Sequence, residues 1–330
     1  FEDLALEPFG NRVPQFTFEV VRPAQGDGIE AVPDLVRGMR GVALIPGTGD
    51  YALAQTKVTI NQGLGEVFAV NENGATGLSD FEASMVMLEE EAPACEAVSM
   101  VVSWFGDDLR CGDCAIKPKV EDTAFDGSEM PWAVSGVARS AAEVIAQEEG
   151  RPIYGGTPAD ASVIEAIGAL RARGKSVMFY PFILMEQLSG NGLPDPWQAE
   201  ASEQPRLPWR GRVTLNKAPG IAGSVDGTAA AAAQVAAFFG AAQASDFTPT
   251  ATGVTYSGPQ EWSFRRMILH YAHLCAQAGG VEAFCIGSEM RSLTQIRGAG
   301  HSFPAVQALR QLAADVRGIL GPAVKIGSAA

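Results

Sequence analysis

VEAFCIGSEM, residues 281–290, reads as a buried strand that ends by lifting a carboxylate out of a sheet. Side chains alternate between faces along a strand. This predicts that Glu289 shares a face with Val281, Ala283, Cys285 and Gly287, while Phe284 and Ile286 point the other way. A glutamate just past an apolar strand has two readings. It meets substrate, or it accepts hydrogen bonds from a helix N-terminus or pairs with the neighbouring Arg291, and the sequence leaves both open.

Working outward from this stretch, strands and helices take turns from Cys95 onward. Residues 98–104 form a β-branched apolar run, 131–147 carry a helical pattern, and 152–154 read as a short strand closing on Gly155-Gly156. Thr157-Pro158 then supplies an N-cap and a first-turn proline. The helix they open has Val163, Ile164, Ile167 and Leu170 on one face and Gly174 as its stop. A strand over 176–180 follows, then a long irregular insertion containing LPDPW and LPWRGR, then an alanine-rich helix around 228–239. A helix led by Pro259 carries an apolar stripe through Trp262, Met267, Tyr271 and Leu274 and ends at Gly279-Gly280. Beyond residue 290 a helix runs from Pro304 to about Leu320 with Val306, Leu309, Leu312, Ala313 and Val316 inward, and a last strand covers 323–327.

Strands separated by helices imply a parallel sheet. They begin near Val98, Pro152, Ser176, Val281 and Ala323, which puts Glu289 at the end of the fourth. The fold class is α/β, a (β/α)8 TIM-barrel-like domain of which this chain holds about the first five strands. An open doubly wound sheet competes, but no glycine-rich phosphate loop follows any strand. Strand C-termini build the active site of such barrels, so a carboxylate placed there is expected to meet substrate. Residues 1–94 differ in texture. Short β-rich runs at 15–21, 41–45, 56–60 and 66–70 alternate with turn residues and read as a small β-rich module, with 95–330 as the amino-terminal part of the barrel.

Composition narrows the function classes. The 330 residues are 47% hydrophobic, ample for a sizeable core, and 24 Lys and Arg against 38 Asp and Glu leave a net charge of −14. Such a field repels phosphate backbones and anionic lipid, so direct nucleic-acid binding is not expected. No run of strongly apolar residues is long enough to span a bilayer, so membrane insertion is not expected either. A start without Met and a stop directly after a strand-like run suggest part of a longer polypeptide. Cys111 and Cys114 form a CGDC turn with no second CxxC, and His270, His273 and His301 lack a matching ligand spacing. No metal and no cofactor are therefore expected, and the bland reading of the cysteines is reduced or locally paired thiols.

Several blocks, taken in order, resemble a known family. The opening FEDLALEPFGNRVPQFTFEV is similar to the start of tail-tip host-specificity proteins of phage-like particles. VVSWFGDDLRCGDC, YGGTPADASV, FYPFILM, LPDPW, PWRGRVT, EWSFRRMILHYAHL and FCIGSEMRSLTQIR resemble, one after another, the barrel-like domain of the gene transfer agent baseplate protein. The resemblance implies a large tail-tip (baseplate) protein carrying a TIM barrel related to glycoside hydrolases. It also implies a place at the distal end of a particle that is assembled in the cytoplasm and acts at the recipient cell envelope during DNA delivery. Its implied partners are other tail proteins, two further copies in a ring of three, and an envelope glycan such as peptidoglycan or a surface polysaccharide.

In the glycoside hydrolases that this barrel resembles, the acid/base carboxylate ends strand four and its partner ends strand seven. Glu289 matches the first position, and the second lies beyond Ala330. Many of those enzymes carry Asn before the acid/base Glu, where this chain has Ser288. Asp107 after strand one and Glu186 after strand three are candidates to orient a sugar hydroxyl, with loop caps and arginine partners as the alternative. Trp104, Trp197 and Trp209 offer indole faces on which a sugar ring stacks, with packing over the barrel mouth as the alternative. Arg210 is a candidate to hold an anionic substituent or to pair with the acidic surface. The alternative to an enzyme is a scaffold or receptor-binding component that keeps the barrel without the chemistry.

Overall fold

The computed structural model describes residues 35–329, residue 75 excepted. The strand expected over 15–21 and the opening block of the resemblance lie outside the described residues. Five parallel strands follow one another across the main sheet in sequence order: β1 (Gly41–Leu44), β2 (Ala97–Gly106), β3 (Ser176–Met185), β4 (Ala283–Ser288) and β5 (Lys325–Ala329). A doubly wound sheet reverses its order at a switch point, whereas an order that never reverses is that of a barrel wall. The fold is a parallel α/β sheet arranged as the first five staves of a TIM-barrel-like domain. A two-residue antiparallel strand, Ile116–Lys117, pairs with the end of β2.

Two assignments exchange places. Gly41–Leu44, expected in a separate amino-terminal module, is β1, registered against Ala97–Met100 of β2, so the sheet crosses the expected boundary at residue 94. The barrel strand expected over 152–154 is not in the main sheet; Arg151–Pro152 instead pairs antiparallel with Gln147–Glu148. Glu149 (φ 52°) and Gly150 (φ 74°) form the two-residue turn between them. Such a turn requires left-handed backbone at both positions and matches hairpin twist, so this short segment closes on itself and not onto the sheet. The helix expected over 131–147 is likewise absent. A hairpin of Ala133–Val134 with Val137–Ala138 turns at Ser135 (φ 52°) and Gly136 (φ 80°), a conformation that no helix accommodates. Because one strand enters and one leaves, the Glu289 strand remains fourth.

The helices that cover the sheet are α1 (Asp80–Glu91), α2 (Asp160–Ala172), α3 (Ala229–Phe239), α4 (Phe264–Gln277), α5 (Arg291–Gln295) and α6 (Pro304–Leu320). α4 starts later than Pro259 because Ser263 is its cap, the hydroxyl accepting the Arg266 amide at 3.2 Å. Along α2, Val163, Ile167 and Leu170 are fully buried, as the 3.6-residue period dictates. Along α6, Ala305, Leu312 and Val316 are buried but Val306 is 40% exposed, so the inward stripe enters through Ala305 and not through Val306.

Alternation along β3 separates the two faces. Val177, Phe179, Ile183 and Met185 are buried toward the helices, where Phe179 meets Tyr271 of α4 and stacks on Phe284 of β4. Met178, Tyr180, Phe182 and Leu184 line the inner face and are half-buried. The loop after β1 is tied down by a buried ion pair, Asp50 to Arg139 at 2.6 Å, beside Tyr51 and Asp126. Burial, reinforced by the Glu121 charge, outweighs the pull of Arg139 and pushes Asp50 up to about 7. None of the helices in the described residues is long and apolar enough to cross a membrane.

Candidate functional site at the end of the fourth strand

Simple alternation along β4 breaks before Glu289 is reached. Cys285 pairs with Gly327 but Ser288 with Ala329, so β4 carries one more residue than β5 over this interval, a bulge. The extra residue changes the parity. A side chain at Gly287 would point at Leu309 of α6, toward the helices, whereas the Ser288 hydroxyl meets the Tyr180 hydroxyl at 2.5 Å on the inner face. Glu289 itself has φ 54°, a left-handed conformation that non-glycine residues seldom adopt, and its amide closes the last rung on the Ala329 carbonyl at 3.0 Å.

The irregular LPWRGR loop closes over this strand end. Trp209 donates its indole N–H to Glu289 Oε2 at 2.7 Å, and Arg210 reaches the same oxygen at 2.6 Å. Glu289 Oε1 has no hydrogen-bond partner among the described residues. The Glu289 side chain is 38% exposed and that of Arg210 only 8%. Arg210 also donates to the Ser288 carbonyl (3.1 Å) and hydroxyl (2.8 Å), and its guanidinium lies 3.5 Å above the Phe182 ring. Burial draws Arg210 below its ordinary range, with Glu289 and Tyr180 opposing the shift. Through Nε and Nη2, Arg210 therefore holds Glu289 and the strand end, which is the ion-pair alternative to gripping an anionic substituent. Gly211 completes the loop: a Cβ there would lie 2.4 Å from the Trp209 ring, so the indole can fold back over its own turn only because residue 211 has no side chain.

A second polar depression lies at the ends of β2 and β3. Gly106 and Met185 are the last registered pair between these strands, which makes Asp107 and Glu186 the next residues outward on each. Both line a depression of ≈ 240 Å³ together with Lys119, Val144, Gln187 and Asn191. Glu186 is ion-paired with Lys119 and accepts the Ala146 amide at 3.0 Å. Burial alone would lower Lys119, but its bonds to Glu186 and Glu143 outweigh that and raise it. Asp107 accepts the Ala115 amide at 2.8 Å, and burial raises its carboxyl above the ordinary range. A third depression, between the ends of β1 and β2, is walled by Val101, Ser103, Tyr154 and Leu184, and no carboxylate lines it.

The six other expected site residues thus separate. Trp209 and Arg210 meet Glu289, and Asp107 meets Glu186 in the neighbouring depression. Trp104 is withdrawn from the mouth altogether: it is fully buried on the helix side, donating to the Tyr271 hydroxyl at 2.9 Å and packed edge-on against Trp262. Its place on the even-numbered, helix-facing side of β2 explains this. Trp197 is half-buried and donates to the Arg212 carbonyl at 2.8 Å, bracing the loop. Sequence reading missed Ser288, Tyr180 and Phe182, which hold Arg210, and Lys119, which holds Glu186. The FYPFILM run contained the signal for Tyr180 and Phe182, because both fall on one parity of a strand. His270 is fully buried against Asp160 at 2.9 Å, a packing role. All five cysteines are free and buried, and among the described residues no group of His, Cys, Asp and Glu is arranged to hold a metal ion.

No curated protein sequence matches this chain. Solved structures with a similar arrangement include GH113 mannanases. A complex structure of a GH113 β-1,4-mannanase matches at TM-score 0.35 and 15% identity, covering 74% of this chain and 48% of that one. The GH113 β-mannanase AaManA from Alicyclobacillus acidocaldarius, in complex with ManMIm, matches at TM-score 0.37 and 16% identity over 78% of this chain and 51% of that one. The chain thus spans about half the length of the structures it matches. Residues 262–330, which include α4, β4 and Glu289, match the family model of the GTA TIM-barrel-like domain.

Proposed function

We propose that this chain supplies the first five staves of a glycan-directed barrel carried at the tail tip of a gene transfer agent or phage-like particle, where it acts on an envelope glycan during attachment and DNA delivery. The ordered sequence blocks and the matched family description support the particle assignment. On that reading its neighbours are other baseplate proteins and two further copies around the tail axis.

One observation carries the chemical part. At the end of β4 a half-exposed carboxylate is gripped through Oε2 alone by Trp209 and Arg210, leaving Oε1 for a ligand beside an indole that is itself 46% exposed. That arrangement suits proton transfer to a leaving glycosidic oxygen with a sugar ring on the indole. Dye release from labelled peptidoglycan by the parent polypeptide, with Glu289→Gln beside it, is the test. The variant is expected to lose at least about a hundredfold in rate. Equal release by both removes Glu289 as the acid.

The Arg210 grip also favours a second reading, a binding component without turnover, because the carboxylate is already engaged by a guanidinium at 2.6 Å. In that case sacculi co-sediment with the protein, Trp209→Ala abolishes the co-sedimentation, and no dye is released.

A further inference from the structure

A depression of ≈ 490 Å³ between the 133–138 hairpin and the segment leading into α4 is built round a guanidinium. Arg266, on the first turn of α4, is only 7% exposed. Every group that its head meets also lines the depression: Ser135, Glu261 and the rings of Tyr256 and Trp262. The head, and not the stem, therefore stands at the wall. The volume is that of a small-ligand site, and no lining residue is shared with the Glu289 site or with the depression at the ends of β2 and β3.

What this guanidinium lacks is a carboxylate. The buried arginines of the described residues are Arg139, Arg210, Arg265 and Arg266. The first three are ion-paired, to Asp50 at 2.6 Å, Glu289 at 2.6 Å and Asp315 at 2.8 Å, and Arg266 has no such pair among the described residues. Glu261 lends it a carbonyl but turns its own carboxylate to the Ala241 and Ala242 amides and the Ser263 hydroxyl. Asp246, beside Gly258, takes the Gln243 amide at 2.7 Å.

The donors of Arg266 are undersupplied as well. One N–H of Nη1 reaches the Glu261 carbonyl at 2.8 Å, and the other has no partner among the described residues. Nε and Nη2 share Ser135 alone, at 3.4–3.5 Å, the outer limit of a hydrogen bond. The Trp262 and Tyr256 rings, centred 3.6 and 4.0 Å from the guanidinium carbon, attract its charge through their faces but offer no lone pair to its N–H edge. Burial draws Arg266 down to about 10, opposed only in part by Tyr256 and Glu261, whereas in Arg139 the charges of Asp50 and Tyr51 outweigh burial and the shift is upward. A buried charge without a counter-ion is costly, so a native chain retains one chiefly where something completes it.

A planar fork of N–H donors held against two rings selects a planar acceptor of single negative charge that can take parallel bonds, which is a carboxylate. We propose that this depression is a subsite for the carboxylate of an acidic sugar, received by Nη1 and Nη2 of Arg266. The carboxylate follows from the unpaired guanidinium; that a sugar carries it rests on the glycan reading above. The chain's net charge of −14 repels anions at large, so a preference for an anionic ligand reports local contacts and not the overall field.

Isothermal titration of the full chain at physiological ionic strength, with a galacturonic acid trimer, its methyl ester and triglutamate, tests this. The uronate is expected to bind at least about tenfold more tightly than the other two, and Arg266→Gln to erase that preference. Gln260 is exposed on the same depression, so its replacement puts no core contact at risk and serves if Arg266→Gln does not fold. Gln260→Glu is expected to weaken uronate binding and Gln260→Lys to strengthen it, with the ester unaffected by either. Equal affinity for uronate and ester, retention of the preference in Arg266→Gln, indifference to charge at residue 260, or no uronate binding at all overturns the subsite. Triglutamate bound as tightly as the uronate overturns the sugar as carrier. An absence of dye release from peptidoglycan bears only on Glu289 and leaves this preference standing.

Discussion

Trp209 and Glu289, 80 residues apart in sequence, are joined by a single indole N–H bond of 2.7 Å, and the joint exists only because residue 211 is glycine. Gly211→Ala places a methyl group 2.4 Å from the ring, so the indole must leave or the loop must shift. Overpacking of this kind destabilises by about 1–3 kcal/mol. In a Trp209→Ala background the same change is expected to fall within about 0.5 kcal/mol of neutral, since the collision partner is gone. Urea denaturation of the four proteins measures the cycle. The Trp209 indole proton, followed by NMR, is expected to move in Gly211→Ala as it does in Glu289→Gln. An additive cycle would show that glycine 211 matters for some other reason.

Stability between mildly acidic and neutral pH is expected to track Asp50. Its carboxyl titrates near 3.8 when unfolded and at about 7 in the fold, so over that interval the native state holds the extra proton. Stability contributed by that proton is fully present below about pH 4 and is lost as pH rises through 7, on the order of a few kcal/mol. Comparing Asp50→Asn with wild type across pH 4–8 isolates the term. The difference between the two is expected to change with pH in that window and to level off above it, and a pH-independent difference would contradict the assignment.

Trp104 is expected to matter for folding alone. Trp104→Phe gives up the bond to the Tyr271 hydroxyl and part of a fully buried ring, about 1–3 kcal/mol in chemical denaturation. Dye release from labelled peptidoglycan and co-sedimentation with sacculi are expected to stay at wild-type levels. Lost binding with unchanged stability would return this residue to the mouth.

The cysteines are expected to be inert. Burial pushes the Cys111 thiol up to about 12 and Cys114 higher still, and all five thiols are buried. A disulfide reagent at pH 8 is expected to titrate none of them in the native protein and all five in denaturant. Fast native reaction at either member of the CGDC turn would refute this.

Much of this architecture could be read from local pattern. The period-two runs at 98–104 and 176–180, the amphipathic α2 and α6, and the carboxylate at the end of a fourth strand follow from residue type and spacing. What escaped was information held elsewhere in the chain. GVAL at 41–44 is as short and apolar in a barrel as in a hairpin, and its partner Ala97–Met100 lies more than 50 residues away. The 131–147 segment mimicked a helix in apolar spacing, yet its Ser-Gly turn was a hairpin signal that outweighs period, and the Glu149-Gly150 turn after it is another. At the site, Trp209 and Arg210 were visible as candidates because loops after barrel strands gather there. Their shared grip on one oxygen of Glu289 was not, since it depends on how a loop of irregular backbone folds over a bulge.

That bulge has an evolutionary edge to it. Adding one further residue between Cys285 and Ser288 would leave the apolar content of the segment almost unchanged, yet it would rotate everything downstream by half a pleat. The serine would then face the helix layer, and Arg210 would lose its anchor. The geometry at this rim therefore depends on a count of residues, a quantity that substitution cannot alter and a single indel can.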